Sequence, residues 1–367
     1  MSTPTVPPCP TILDIDPYVS GDFKIGGVDR IIKLSSNEGA FGPSPRAVAA
    51  MQQAATTAHR YPDGGASELR GAIAKRFGLD PERIVCGAGS DELLSLLTYS
   101  YAGPGDEVLY TEHGFLIYPI AARAAGATPV KAPETNLRTD VGAVLNAVTR
   151  RTRIVFIANP NNPTGTYLSH AELTALRVGL PGDVLLVIDA AYAEFVDKNN
   201  YSPGIELVDA GQNTVMTRTF SKLFGLGGMR VGWGYFPTQI ADVLNRVRGP
   251  FNVSAPAQAA AIASLEDLDF QAKCFEHNQI WRDKTETALN AHGIATTASV
   301  GNFVLARFGD AQTAANADAF LRQRGIIVRR VAGYGLPDCL RISIGPGADM
   351  TAFITAIEDF TKNTPGA

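Results

Sequence analysis

The residues best suited to chemistry follow short apolar runs, at the points where those runs end. Because ligands in open α/β sheets bind beyond the carboxyl ends of the strands, side chains that follow several strands are expected to meet at one site. Three such junctions stand in the sequence: RIVFIA before Asn162, VLLVI before Asp189 and Tyr192, and TVMTRTF before Ser221 and Lys222. Together they predict a ligand site at the edge of a sheet.

Asp189 directly follows five apolar residues. A carboxylate in that position is costly to bury unless it meets a positive charge. Two interpretations are open. Asp189 is either a helix N-cap or the partner of a nearby arginine, or it pairs with the protonated nitrogen of a pyridine cofactor. The second pairing keeps the ring cationic, so that it accepts electron density from a substrate carbanion.

Lys222 precedes the glycine-rich segment LFGLGGMRVGWG, which contains Arg230. Glycines let a backbone turn tightly and approach a ligand closely. A buried ammonium near another cation has a lowered pKa, so Lys222 is a candidate neutral nucleophile towards an aldehyde. Ser221 and Arg230 are candidates for binding a phosphate, the arginine through its bidentate fork. The alternative is a surface loop with incidental charges.

A fourth apolar run, RIVCG, ends in Ala88, Gly89 and Ser90 before a helical stretch. Backbone N–H groups and the dipole at a helix N-terminus favour an anion, so these residues predict a phosphate cup. The alternative is that Ser90 or Asp91 only caps the helix.

Two further residues have both a structural and a functional interpretation. Asn162 is either a turn residue or a ligand of the cofactor. Phe115, in HGFLIY, is either a core aromatic or a ring that stacks on a pyridinium.

The elements that must position these residues alternate between apolar runs and helical stretches. Short runs that are apolar on both faces are typical of buried parallel strands covered by helices. This alternation predicts an α/β domain with a mainly parallel sheet. We expect an N-terminal arm over residues 1–35, a large domain over residues 36–250, and a smaller α+β domain over residues 251–367.

Composition narrows the classes of function. The chain has 367 residues and a formal net charge of −4, without a basic block that would indicate nucleic acid or an anionic membrane as a partner. No signal peptide or membrane span is predicted. The four cysteines are scattered, so neither a disulfide framework nor a metal site is expected, and a reducing cytoplasm is the default location.

The order and spacing of several motifs identify the chain as similar to a known family. NPNNPTG, IDAAY and TFSKLFGLGGMRVGW together resemble the class I/II aminotransferases of fold type I, which depend on pyridoxal 5′-phosphate (PLP). SNEGAFGPSP, RYPDGG, GAGSDE and YGLPDCLRISIG narrow the resemblance to the histidinol-phosphate aminotransferase subfamily. The resemblance extends from about Tyr18 to the last helix and implies a seven-stranded-type sheet in the large domain.

The resemblance assigns a role to each matching residue. Lys222 would hold PLP as a Schiff base and move a proton, Asp189 would pair with the ring nitrogen, and Phe115 would stack on the ring. Tyr192 and Asn162 would bind the ring 3′-oxygen. The remaining residues would bind the cofactor phosphate (Ala88, Gly89, Ser90, Ser221, Arg230 and, from a neighbouring subunit, Tyr61) or the substrate (Tyr18, Asn37, Arg329 and Arg341).

Two departures from the family pattern affect these assignments. The family often has SNENP where this chain has SNEGA, which leaves the role of Asn37 open. The stretch HGF replaces the common PTY and leaves the alignment of Phe115 open.

The implied reaction converts L-histidinol phosphate and 2-oxoglutarate into imidazole acetol phosphate and L-glutamate, in histidine biosynthesis. It would be ping-pong, in a homodimer with shared active sites. An aromatic-amino-acid aminotransferase is the first alternative. A PLP-dependent decarboxylase of a phosphorylated amino acid and a PLP-binding sensor without turnover are the others.

Overall fold

The computed structural model describes residues 6–18, 21–28 and 30–363. Its strands are β1 (Ile32–Leu34), β2 (Ile84–Gly87), β3 (Glu107–Thr111), β4 (Thr128–Ala132), β5 (Glu134–Thr135), β6 (Arg138–Thr139), β7 (Thr152–Ala158), β8 (Leu185–Asp189), β9 (Thr214–Thr219), β10 (Gly232–Tyr235), β11 (Ala295–Thr296), β12 (Phe303–Arg307), β13 (Ile326–Val331) and β14 (Leu336–Ser343). Its α-helices are α1 (Pro45–Ala55), α2 (Ser67–Phe77), α3 (Ser90–Tyr101), α4 (Ile117–Ala124), α5 (Val141–Ala147), α6 (His170–Gly179), α7 (Ile205–Ala210), α8 (Thr238–Val247), α9 (Ala255–Glu266), α10 (Leu268–Ala291), α11 (Ala311–Gln323) and α12 (Gly347–Asn363). Among these helices, none combines the length and the apolar character needed to cross a membrane.

The larger sheet has seven strands in the order β2-β10-β9-β8-β7-β3-β4. All are parallel except β10, which runs antiparallel to both β2 and β9. Its central strands are buried on both faces; Val155, Phe156 and Ile157 of β7, for example, are wholly inaccessible to solvent. Helices cover both faces of such a sheet, which explains why these strands read as continuous apolar runs. The predicted seven-stranded, mainly parallel sheet is confirmed.

The smaller sheet has five strands in the order β1-β13-β14-β12-β11. Its edge strand β1 comes from the N-terminal segment and pairs in parallel with β13. Ile32 and Leu34 point into the apolar core of this sheet, where Val328 and Leu340 also lie. The last part of the predicted arm over residues 1–35 therefore pairs with the smaller sheet.

The predicted boundary at residue 250 falls shortly before helix α9. Helix α9, placed in the smaller domain by the prediction, packs against α1 and α2. Its buried residues Ala257 and Ala261 share a core with Trp233 of the larger sheet. An alanine-rich helix of this kind lets neighbouring helices approach closely, so α9 packs with the helices of the larger sheet. Apart from β1, the strands of the smaller sheet follow α9.

Candidate active site

A cavity of about 310 Å³ opens beside the carboxyl ends of β7, β8 and β9. These three strands are neighbours in the sheet, which brings the polar residues that follow them together. The predicted site residues that line this cavity are Tyr18, Asn37, Ser90, Phe115, Asn162, Asp189, Tyr192, Ser221, Lys222, Arg230, Arg329 and Arg341. The structure thus gathers residues from both sheets and from the N-terminal segment around one space.

Asp189 lies at the floor of the cavity and is 5% exposed. The Tyr118 hydroxyl donates a 2.9 Å hydrogen bond to its Oδ2 atom, while the buried Oδ1 atom has no hydrogen-bond partner among the described residues. Burial raises the pKa of this carboxyl to about 6, although the Tyr118 hydrogen bond opposes the rise. Buried polar atoms are normally hydrogen-bonded, so this carboxylate oxygen is available to accept a hydrogen bond. A protonated ring nitrogen would donate one.

Lys222 lies in the wall of the same cavity. Its Nζ atom is 5.6 Å from the centroid of the Tyr192 ring. Burial, and then the positive charge of Arg341, lower the pKa of Lys222 to about 8. A substantial fraction of this amine is therefore neutral near pH 8, which a lysine needs if it is to attack an aldehyde.

One end of the cavity combines the N-terminus of a helix with a guanidinium group. Ser90 begins helix α3, so that the first N–H groups of the helix face this end without helical partners. The Arg230 guanidinium lies 3.4 Å from Ser221 Oγ and 3.3 Å from Asp91 Oδ2. Glycine suits position 89 because its φ is +85°, and a Cβ atom there would displace the end of the Arg230 side chain.

Two residues predicted for the phosphate cup have their N–H groups already engaged. The Ala88 amide donates a 2.6 Å hydrogen bond to the Glu92 side chain, and the Gly89 amide donates to the Gly87 carbonyl. Neither residue lines the cavity. In the described chain, Ala88 and Gly89 shape the loop, and the amides at the start of α3 are the ones left for an anion.

Arg341 is 5% exposed and stands between the two sheets. It donates to the Asn162 side-chain oxygen and to the Ser35 carbonyl, and within the part of the chain that the structure describes its buried Nε atom has no hydrogen-bond partner. Arg329 pairs with it across the β13–β14 ladder and is also at the cavity wall. Two cations at one end of a cavity form a site for a dianion.

Tyr61 does not line this cavity. Its side chain is 83% exposed, and its ring stacks on Phe251 with centroids 4.6 Å apart. Within its own chain Tyr61 therefore contributes nothing to the pocket.

Sequence reasoning missed several residues that shape the site. Tyr118 donates a hydrogen bond to Asp189 across 71 positions of sequence. Asp91 and Tyr334 line the cavity, and Ser343 bonds both the backbone and the side chain of Asn37. The loop containing Asp91 was visible as a motif, but no local pattern in the sequence indicates the contacts of Tyr118 or Ser343.

Comparison with known proteins identifies the family. A model of the family "Aminotransferase class I and II" matches residues 29–357. The chain is 59% identical over 355 residues to the histidinol-phosphate aminotransferase of Paramagnetospirillum magneticum, an alignment covering 96% of this chain and 98% of that protein. It is 58% identical over 356 residues to the protein of the same name from Rhodospirillum centenum, covering 97% of this chain and 98% of the relative.

A solved structure gives the same result. The histidinol-phosphate aminotransferase of Sinorhizobium meliloti, in complex with pyridoxal 5′-phosphate, has a TM-score of 0.86 and 30% sequence identity. The match covers 91% of this chain and 92% of that one. These names favour an aminotransferase over the decarboxylase and sensor alternatives. The chain belongs to the class I and II aminotransferases and, within them, to the histidinol-phosphate aminotransferase family.

Proposed function

We propose that this protein exchanges an amino group between L-histidinol phosphate and 2-oxoglutarate, with PLP bound at Lys222. The observation that carries the proposal is the pairing of two buried groups in one cavity. The lysine has its pKa lowered to about 8, and the carboxylate of Asp189 has an unpartnered oxygen. Burial of each group costs free energy in the cofactor-free protein. A pyridine aldehyde would give each group a partner.

The residues present fit PLP at every part of the molecule. Asp189 Oδ1 would accept from the ring nitrogen, and the start of α3 with Ser221 and Arg230 would hold the phosphate. Tyr192 and Asn162 would bind the 3′-oxygen, with Phe115 against the ring face. When bound, PLP supplies an electron sink that stabilises negative charge at the substrate Cα.

Lys222 performs the proton transfer. Once its amine is free, a pKa near 8 lets it remove a proton from the substrate Cα and deliver one to the acceptor carbon at neutral pH. Tyr192 and Arg341 line the same cavity as this amine, which lies 5.6 Å from the centroid of the Tyr192 ring.

Arg341 and Arg329 would select the substrate. Histidinol phosphate carries a phosphate ester where an amino acid carries its α-carboxylate, and the ester bears nearly two negative charges at neutral pH. One arginine satisfies a carboxylate, whereas a phosphate has enough acceptor oxygens for a second cation. Tyr18, at the same wall, adds a hydroxyl donor.

The assignment is tested by a steady-state comparison of amino donors. With 2-oxoglutarate as acceptor, kcat/KM for L-histidinol phosphate should exceed that for L-phenylalanine by at least about tenfold, the value of one charge-assisted hydrogen bond. A larger kcat/KM for L-phenylalanine would instead support the aromatic-amino-acid aminotransferase.

Substitution should distinguish the roles of Arg329 and Arg341. Arg329→Ala should lower kcat/KM for L-histidinol phosphate by roughly ten- to a hundredfold and change that for L-glutamate much less. Arg341→Ala should damage both substrates. Arg330→Ala is the matched control, because Arg330 neighbours Arg329 on β13 but lies outside the cavity wall. Equal losses for both substrates in Arg329→Ala would contradict this selection.

We further propose that the active unit is a homodimer in which Tyr61 binds the cofactor phosphate of the partner subunit. The support is its position: Tyr61 is 83% exposed, stacks on Phe251 and lies outside the lining of its own cavity. Phe251 keeps this place in a left-handed backbone conformation, with φ at +57°.

The shared-site proposal predicts a specific result for mixed dimers. A heterodimer of a Tyr61→Ala subunit and a Lys222→Ala subunit should concentrate both defects in one of its two sites. It should therefore keep about half the activity of the wild-type dimer. A heterodimer with no intact site would show that Tyr61 acts within its own chain.

A further inference from the structure

Three buried side chains form a hydrogen-bonded line from the smaller sheet to the catalytic tyrosine. Ser343 at the end of β14, Asn37 in the loop after β1, and Tyr192 after β8 are 4%, 1% and 4% exposed. Asn37 was predicted to bind substrate, and its role was left open by the SNEGA departure. Although it lines the cavity, both ends of its amide are engaged by protein groups.

Ser343 fixes which way the Asn37 amide points. Its hydroxyl accepts a 2.7 Å hydrogen bond from the Asn37 backbone N–H, and donates a 2.9 Å hydrogen bond to Asn37 Oδ1. A hydroxyl has one proton and two lone pairs, so with a lone pair taken by the backbone N–H, the buried Ser343 proton is satisfied when Asn37 turns Oδ1, and not Nδ2, towards it. With Oδ1 held by Ser343, the Nδ2 group must face Tyr192.

The amide in turn fixes the direction of the Tyr192 proton. Asn37 Nδ2 donates a 2.8 Å hydrogen bond to Tyr192 Oη. Because that lone pair accepts from Nδ2, the phenolic proton cannot point back at the amide. It is left to point into the cavity, where Lys222 lies across the tyrosine ring.

The loop that carries Asn37 is itself held in place. The φ of Asn37 is +52°, a left-handed conformation that asparagine and aspartate tolerate better than other residues with side chains. The Asn302 side chain donates a 3.0 Å hydrogen bond to the Asn37 carbonyl. Asn37 is thereby tied to the smaller sheet at two points and to the larger sheet through Tyr192.

We propose that Ser343 is a positioning residue which, through the Asn37 amide, keeps the Tyr192 hydroxyl proton directed at the 3′-oxygen of the cofactor. The inference rests on the proposed function, because it requires PLP at Lys222. It assigns to Asn37 a task other than substrate binding. It also links the smaller sheet to the cofactor, since Ser343 belongs to β14 and Tyr192 follows β8.

The test measures the visible absorption of the holoenzyme and not its turnover. A proton donated to the 3′-oxygen stabilises negative charge there, so losing that donor makes the neighbouring proton harder to remove. The pH midpoint of the visible band should therefore rise by about one to two pH units in Tyr192→Phe. Ser343→Ala should raise it by about half as much, because the freed amide can then turn.

A double variant shows whether Ser343 acts through Tyr192. Adding Ser343→Ala to Tyr192→Phe should produce no further rise, because the proton that Ser343 directs is already gone. The other charged groups acting on Tyr192, namely Arg341, Asp189, Asp91 and Lys222, are the same in all variants. If Ser343→Ala fails to fold, Asn37→Asp replaces it, since a carboxylate only accepts from Tyr192 and should raise the midpoint as far as Tyr192→Phe.

Ser299→Ala is the matched control. Ser299 is 5% exposed and its hydroxyl donates a 2.6 Å hydrogen bond to the Phe303 carbonyl, outside the line to Tyr192. Its loss should reduce stability and leave the midpoint unchanged.

An unchanged midpoint in Ser343→Ala, or additive shifts in the double variant, would overturn the inference. Failure of the proposed function gives a different result. A holoenzyme whose midpoint shifts as expected, but which does not turn over L-histidinol phosphate, would support the positioning role and contradict the substrate. A wild-type protein without a pH-dependent visible band would overturn both the cofactor site and the inference.

Discussion

Lys222→Ala should lower the kcat for transamination by about 10⁴-fold or more, the upper end of what one general acid–base group contributes. The substitution removes the covalent anchor of the cofactor and the only amine that lines the cavity within the described residues. Lys222→Arg should be equally inactive, because a guanidinium keeps the charge but does not release its proton.

Two controls make the Lys222 result specific. Lys198→Ala, at an exposed lysine outside the cavity, should retain wild-type kcat. Small primary amines added to Lys222→Ala should restore part of the proton transfer, since the cavity that the side chain leaves is open to them. Retention of more than about a tenth of kcat in Lys222→Ala would rule out this lysine as the acid and base.

Asp189→Asn should have opposite effects on activity and stability. Activity should fall by about a hundred- to a few-thousandfold, because the ring nitrogen loses a buried partner charge. The cofactor-free protein should become more stable at neutral pH by roughly 1–3 kcal/mol. The carboxylate is buried with an unpartnered oxygen, and its pKa is raised from 3.8 to about 6.

The sign of the pH dependence follows from that shift. Between pH 3.8 and about 6 the folded chain holds a proton on Asp189 that the unfolded chain has released. The contribution of Asp189 to the free energy of unfolding therefore falls as the pH rises through this interval, and the full penalty persists above it. Thermal unfolding of cofactor-free protein should show the Asp189→Asn gain at pH 8 and little of it at pH 4.

A matched pair separates this effect from a general one. Asp197→Asn makes the same chemical change at a half-exposed carboxylate outside the cavity, and should change neither activity nor the pH profile of stability. A less stable Asp189→Asn protein at pH 8 would contradict the claim that this carboxylate is held at a cost for the cofactor.

The chemistry at the strand ends was predictable because it depends on local sequence. Asn162, Asp189 and Lys222 each follow a run of apolar residues, and parallel strands bring such ends to one edge of a sheet. The order β9-β8-β7 confirms that adjacency. Motif resemblance then supplied the family, which composition and periodicity do not.

What the sequence did not reveal depends on contacts between distant residues. Ser343 and Asn37 are 306 positions apart, and nothing in either segment indicates the other. The Ala88 amide was assigned to the cofactor phosphate, but it donates its hydrogen bond to the nearby Glu92 side chain. Strand β1 was read as part of an arm, because a three-residue strand gives too short a pattern to show which sheet it joins.

Chemical mapping of the cofactor lysine is the most direct test of the assignment of Lys222. The purified holoenzyme is reduced with sodium borohydride, digested, and searched by mass spectrometry for peptides that carry a pyridoxyl group. One modified residue, Lys222, is expected, with loss of the visible absorption band in proportion to the modification. A pyridoxyl group on any other lysine, or reduction without an adduct, would contradict the assignment of Lys222 and of the cavity built around it.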